Sequence, residues 1–81
     1  MVEVGLWGAL IPLAGNQPRV QVEARDIREL LRKLVEAHPG LQEPFDEGVA
    51  VVIDGTVYRD DWSRTLPDGA EVFVMRRLAG G

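Results

Sequence analysis

The 81-residue sequence predicts an α+β fold in which one helix packs on a mixed β-sheet. Two periodicities carry that reading. Between Asp26 and Ala37, the apolar residues Ile27, Leu30, Leu31, Leu34 and Val35 recur at helical spacing, with Arg28, Glu29, Arg32, Lys33 and Glu36 on the other face. In "VEVGLW", "RVQVE", "VAVVIDGTVY" and "EVFVMRR", apolar residues instead alternate or run together as in strands. Apolar residues make up 46% of the chain, enough for a core at this length, and one domain over residues 1–81 with a flexible Gly-Gly tail is expected.

In the first strand, Val2, Val4 and Leu6 are expected inward, against Glu3, Gly5 and Trp7 outward. "GALIPLAGNQP" reads as a loop because Gly8, Pro12, Gly15, Asn16 and Pro18 interrupt it, although it carries a few anchoring aliphatics. "RVQVE" follows as a second strand, forming an antiparallel hairpin with the first. Asp26 is placed to accept from the exposed amides of the helix's first turn, and Glu29 completes an Asp version of the capping box. His38, Pro39 and Gly40 end the helix, since proline cannot continue it and biases His38 towards extended geometry. "LQEPFDEG" is a connector with room for a short turn of helix, in which Leu41 and Phe45 can cover the core edge. Asp54-Gly55 suits a tight hairpin turn between two strands. "RDDWSRTLPDGA" is a loop containing the turn Pro67-Asp68-Gly69, and "EVFVMRR" is the last strand.

The order is therefore strand, strand, helix, strand, short strand, strand. A helix with one apolar stripe and a sheet with one apolar face satisfy each other in two layers. A helical crossover between the second and later strands makes the first and last strands parallel neighbours at the centre of the sheet. That is the layout of a β-grasp.

Composition narrows the function. With 13 acidic and 9 basic side chains the formal net charge is −4, a field that repels phosphate backbones, so nucleic acid is not expected as a partner. No apolar run approaches the ~20 residues that span a bilayer, and "MVEVGLWGAL" lacks the basic region of a signal peptide. No membrane association is expected, and a cytoplasmic location is. Cysteine is absent, which removes disulfides, thiolate metal sites and thiol nucleophiles.

Catalytic apparatus is hard to assemble. A nucleophile, base and orienting acid would have to come from His38, the single serine Ser63 and an aspartate. His38 is better read as a helix-terminal residue. Asp54, Asp60 and Asp61 show no calcium-loop spacing, and no phosphate-binding glycine pattern is present, so neither metal nor cofactor is expected. Not an enzyme but a protein acted on by one is the expectation. Arg76 and Arg77 form a basic pair whose guanidinium groups suit directional pairing with carboxylates of a partner.

"VEVGLWG", "DIRELLRKLVEAHPGL", "VVIDGTVY", "LPDGAEV" and the terminal "AGG", in that order along nearly the whole chain, resemble the MoaD/ThiS family of ubiquitin-like sulfur carriers. The resemblance implies that the carboxylate of Gly81 is adenylated by an ATP-dependent, ubiquitin-activating-enzyme-like adenylyltransferase and converted to a thiocarboxylate, with Gly80 as its flexible neighbour. Glycine fits that role because a residue without a Cβ permits close approach in a narrow channel. The sulfur would pass to an acceptor enzyme such as a molybdopterin synthase large subunit. The length suits a molybdopterin-type carrier. Met75-Arg76-Arg77-Leu78 stands where molybdopterin synthase small subunits often carry prolines, and "RRLAGG" is closer to the "LRLRGG" of ubiquitin. A carrier for thiamine thiazole or another sulfur metabolite, and a modifier conjugated through Gly81, therefore stay open.

The alternation in "EVFVM" places the smaller Val72 and Val74 beneath the leucine-rich helix and Phe73 and Met75 on the open face. Matching the hairpin to the ubiquitin pattern adds Val52 to that face. Val52, Phe73, Met75, Arg76, Arg77 and Leu78 are thus the expected partner-binding residues, holding the body while Gly81 is presented. The segment from Leu78 onward is expected to show weak hydrogen-exchange protection.

Overall fold

The computed structural model describes residues 1–77 of the chain. Strands β1 (Val2–Leu6), β2 (Arg19–Val22), β3 (Val49–Ile53), β4 (Thr56–Tyr58) and β5 (Glu71–Arg76) form one sheet in the order β2-β1-β5-β3-β4. β1 and β5 run parallel, and the other neighbours pair antiparallel. Helices α1 (Leu10–Leu13), α2 (Ile27–Ala37) and α3 (Gln42–Glu47) complete the fold, with a single 3₁₀ turn at Pro39–Leu41. This is the β-grasp architecture that the element order predicts.

Strand register decides the core. Val4 lies opposite Val72 and Leu6 opposite Val74 across the parallel pair, while Val51 and Ile53 flank Val74 and Val72 from β3. All of these are buried, together with Ile27, Leu30 and Leu34 of α2 and Leu10 and Leu41 from the connections. Among the described residues no polar or charged side chain is buried. Leu31 and Val35 belong to the same helical stripe by spacing but are only half-buried. They pack against the edge of the core and, with Phe45 of α3, line a shallow apolar groove.

The start of α2 satisfies its exposed amides completely, from two sources. The Asp26 carboxylate accepts from the Glu29 amide at 2.8 Å. The Ile27 and Arg28 amides donate to the carbonyls of Arg64 and Trp62, so the loop after β4 serves as the rest of the cap. The reciprocal half of the expected box is displaced by one residue, because the Glu29 carboxylate takes the Arg25 amide rather than that of Asp26. At the other end, the His38 amide donates to the Leu34 carbonyl before the Pro39–Leu41 turn. The Asp54-Gly55 turn has positive φ at both residues, as a tight hairpin needs.

One segment departs from expectation. "GALIPLAGNQP" contains the helical turn α1, opened by Leu10 and Ile11 amides donating to Trp7 and Gly8 carbonyls. Leu10 is fully buried beneath it. Four residues are too few to show a helical period, and Pro12 in the first turn costs no hydrogen bond that the turn could make. No helix among the described residues is long and apolar enough to cross a membrane.

Replacing Asp26 with alanine removes the only side-chain cap of α2 while leaving the two loop carbonyls in place. The expected loss is about 1 kcal/mol, read as a melting temperature lower by about 4–8 °C. An unchanged thermal midpoint would show that the 59–70 loop caps the helix unaided.

Candidate functional site

The sheet has one face covered by α2 and one face open, and β5 alternates between them. Val72 and Val74 are buried, whereas Phe73 and Met75 are half-buried on the open face, as the alternation predicts. The ladder then sets a row straight across the sheet: Arg19, Gly5, Phe73, Val52 and Val57, contributed by β2, β1, β5, β3 and β4 in turn. Ala50 and Met75 form the next row.

Gly5 is where this row becomes tight. A Cβ at that position would lie 2.5 Å from the Phe73 ring, so the ring rests directly on the β1 backbone. Trp7, 54% exposed, meets the same ring edge-on with centroids 6.0 Å apart. Such pairs contribute about 0.5–1.5 kcal/mol beyond burial. The result is an apolar patch of Trp7, Phe73, Met75, Val52 and Val57, with Val57 51% exposed. Glu3, Gln21 and Glu71 bound it as a polar row, tied by hydrogen bonds from Gln21 and Arg19 to the Glu3 carboxylate.

β5 leaves the sheet under local control. The Arg76 guanidinium donates to the Glu47 carboxylate at 2.7 Å, an exposed pair and therefore a weak one. The Arg77 amide donates to the Gly48 carbonyl at 3.1 Å. Its side chain crosses Gly48 closely enough that a Cβ there would sit 3.1 Å from Cδ, and the φ of +127° at Gly48 disfavours any side chain in any case. Of the two arginines expected to meet a partner, Arg76 is thus engaged within the chain by Glu47. Leu78, Gly80 and Gly81, and with them the expected weak protection of the tail, lie outside the described residues.

Sequence reasoning set Trp7 outward but counted neither Trp7 nor Val57 among the partner-binding residues. The signal was present: Trp7 shares the outward parity of Glu3 and Gly5, and a two-residue turn at Asp54-Gly55 forces Val57 opposite Val52. The other candidates are dispersed. Ser63 donates to Asp61 at 2.8 Å in the loop that caps the start of α2, while His38 sits at that helix's far end, about 16 Å along its axis. Asp54 accepts from the Glu71 amide, and among the described residues no cluster of three metal-ligating side chains occurs.

The family model for bacteriophage lambda tail assembly protein I matches residues 1–81, the whole sequence. The chain belongs to the lambda tail assembly protein I family. No curated protein matches it. Several solved structures do. SAMP1 from Haloferax volcanii is 25% identical with a TM-score of 0.73, covering 99% of this chain and 98% of its own. In the BexX/CysO complex of Amycolatopsis orientalis, one chain is matched over 100% of both at 16% identity and a TM-score of 0.81. In the complex of subunits 1 and 2 of molybdopterin-converting factor from Helicobacter pylori 26695, the match is 24% identical, covers 99% and 97%, and has a TM-score of 0.69. The resemblance to MoaD/ThiS carriers therefore holds for the fold, which is ubiquitin-like, whereas the family model is that of the phage tail protein.

The two faces of β5 predict opposite outcomes on truncation. Val74→Ala should cost about 1.5–3 kcal/mol, since it empties the centre of the core, while Met75→Ala should cost less than about 1 kcal/mol. Chemical denaturation of both variants measures the contrast, and equal losses would mean that the open face is not open in solution.

Proposed function

We propose that this member of the tail assembly protein I family is a ubiquitin-like carrier that works through the carboxylate of Gly81. One observation carries the reading: the strand leading to Gly80 and Gly81 is central in the sheet and lines the apolar open face. A partner that grips Trp7, Phe73, Met75, Val52 and Val57 would hold the root of the tail at a fixed distance from its own active site. The family of similar folds supports this, since one was solved in complex with BexX and another with a second subunit of molybdopterin-converting factor.

In the sulfur-carrier form of the proposal, a separate adenylyltransferase supplies the catalysis. A Gly81 carboxylate oxygen attacks the α-phosphorus of ATP, pyrophosphate leaves, and the acyl-adenylate forms. Sulfide-level sulfur then adds to the acyl carbon and expels AMP, leaving a thiocarboxylate. An acceptor enzyme, of the molybdopterin-synthase kind first, takes the sulfur in the cytoplasm. The protein itself contributes presentation and no proton transfer.

A second reading, favoured by the modifier proteins among the similar folds, is that a lysine amine attacks the acyl-adenylate, AMP leaves, and an isopeptide bond joins Gly81 to another protein. The H. volcanii fold relative is a small archaeal modifier protein. Proteins of an assembling tail are the acceptors in this form.

Intact-mass analysis of the protein recovered from cells that contain its activating enzyme separates the readings. A gain equal to the difference between sulfur and oxygen, mapped to the C-terminal peptide, is the expected result. Branched peptides linking Gly81 to lysines would establish the modifier instead. Unchanged activity after deletion of Gly80 and Gly81 would overturn both.

A further inference from the structure

The two neighbours of β5 let go of it at different points. On the β1 side, the Trp7 amide donates to the Val74 carbonyl at 3.2 Å. The next step of a parallel ladder would take the Arg76 amide to the Trp7 carbonyl, but that carbonyl accepts from the Leu10 amide at 3.2 Å and opens α1. Pairing with β1 therefore ends at Val74, and the backbone of Met75, Arg76 and Arg77 is held from the β3 side alone.

On that side the ladder ends at Gly48. The Arg77 amide donates to the Gly48 carbonyl at 3.1 Å. In a hydrogen-bonded antiparallel pair the Gly48 amide would answer it, yet that amide donates to the Pro44 carbonyl at 3.2 Å and closes α3. One residue thus ends a helix and ends the strand pairing. Glycine fits there because φ is +127° and an added Cβ would meet the Arg77 Cδ at 3.1 Å. Glu47, the last residue of α3, holds Arg76 through the 2.7 Å ion pair. Two adjacent residues therefore grip two adjacent residues at the root of the chain's final segment. The grip is light, one exposed ion pair and one backbone bond, so it can open without unfolding the sheet.

We propose that Glu47 and Gly48 are positioning residues, a clasp that fixes Arg77 as the end of the body and so sets how far Gly81 reaches. The proposal deepens the carboxylate reading of Gly81 and rests on it. Residues 78–81 follow Arg77, and four extended residues span at most about 14 Å. Release of Arg76 and Arg77 lengthens that reach by about 7 Å. A partner seated on Phe73, Met75 and Val52 then meets the carboxylate at a defined distance only while the clasp is shut, and a misplacement of about 1 Å can cost about a hundredfold in rate. The reacting centre of that partner accordingly lies within about 14 Å of Arg77.

Amide exchange of Arg77 reads the clasp directly. Glu47→Lys, which sets like charges together at Arg76, should speed it about threefold, and Gly48→Ala about tenfold, with the Val72 amide unchanged in both because the opening is local. The functional readout is the fraction of protein modified at Gly81, by thiocarboxylate mass or branched peptide, after expression with the activating enzyme. Deleting Ala79 shortens the reach by about 3.5 Å and should lower that fraction about tenfold or more. Adding Glu47→Lys or Gly48→Ala to the deletion supplies slack and should raise the fraction again about threefold, a rescue that loss of stability alone does not produce. Failure of both substitutions to rescue, or Arg77 exchange unchanged in both, would overturn the clasp while leaving the Gly81 reading intact. Absence of any modification in the unaltered protein would instead overturn the Gly81 reading and, with it, the role given to the clasp.

Discussion

Everything in this fold follows from the parallel pairing of β1 with β5. Parallel neighbours cannot be joined by a hairpin, so the chain between them has to leave the sheet and return. It does so through α2, whose apolar stripe is then forced onto the face where Val4, Leu6, Val72 and Val74 converge. The antiparallel strands β2 and β3 complete the sheet on either side of that pair. A residue shift of one between β1 and β5 would put Phe73 in the core and Val72 in solvent. Gly5 blocks that slip in its own way, since the native register alone sets the Phe73 ring over a position without a side chain.

The same pairing explains why the molecule has two unlike surfaces. One helix of this length covers one face of a five-stranded sheet, and the other face is left to carry Trp7, Phe73, Val52 and Val57. Large apolar side chains so placed favour an interface over solvent. The ubiquitin-like fold of this chain, a member of the tail assembly protein I family, is shared by a small archaeal modifier protein and a subunit of molybdopterin-converting factor. Fold therefore constrains how a partner is gripped far more than what the grip achieves.

Legibility in the sequence followed the range of the physics. α2, the hairpin at Asp54-Gly55 and the two faces of β5 depend on near neighbours, and the spacing of apolar residues showed them. The central parallel pair was inferable because a helical crossover leaves few alternatives. What escaped was set by distant partners. Carbonyls of Trp62 and Arg64 cap α2 from another loop, Leu10 is buried by elements far along the chain, and Leu31 and Val35 share a groove with Phe45 at the edge of the core. Arg76 reads as a free cation until Glu47 is brought beside it. Val57 joins the open face, and Trp7 meets Phe73, only once cross-strand register is known.

The position of β5 has a consequence for biosynthesis. This strand is the last of the five to be translated, yet it fills the middle of the sheet, contacting both β1 and β3. During elongation, the hairpin of β1 and β2 and the hairpin of β3 and β4 exist as two separate halves with a gap between them, each with an unpaired inner edge. Neither half has a core until residues 71–76 emerge. Completion of the body therefore waits for β5 to emerge from the ribosome. A nascent chain interrupted upstream of Glu71 is left with two sticky half-sheets, which makes it a substrate for chaperones and proteases rather than a competitor of the finished protein.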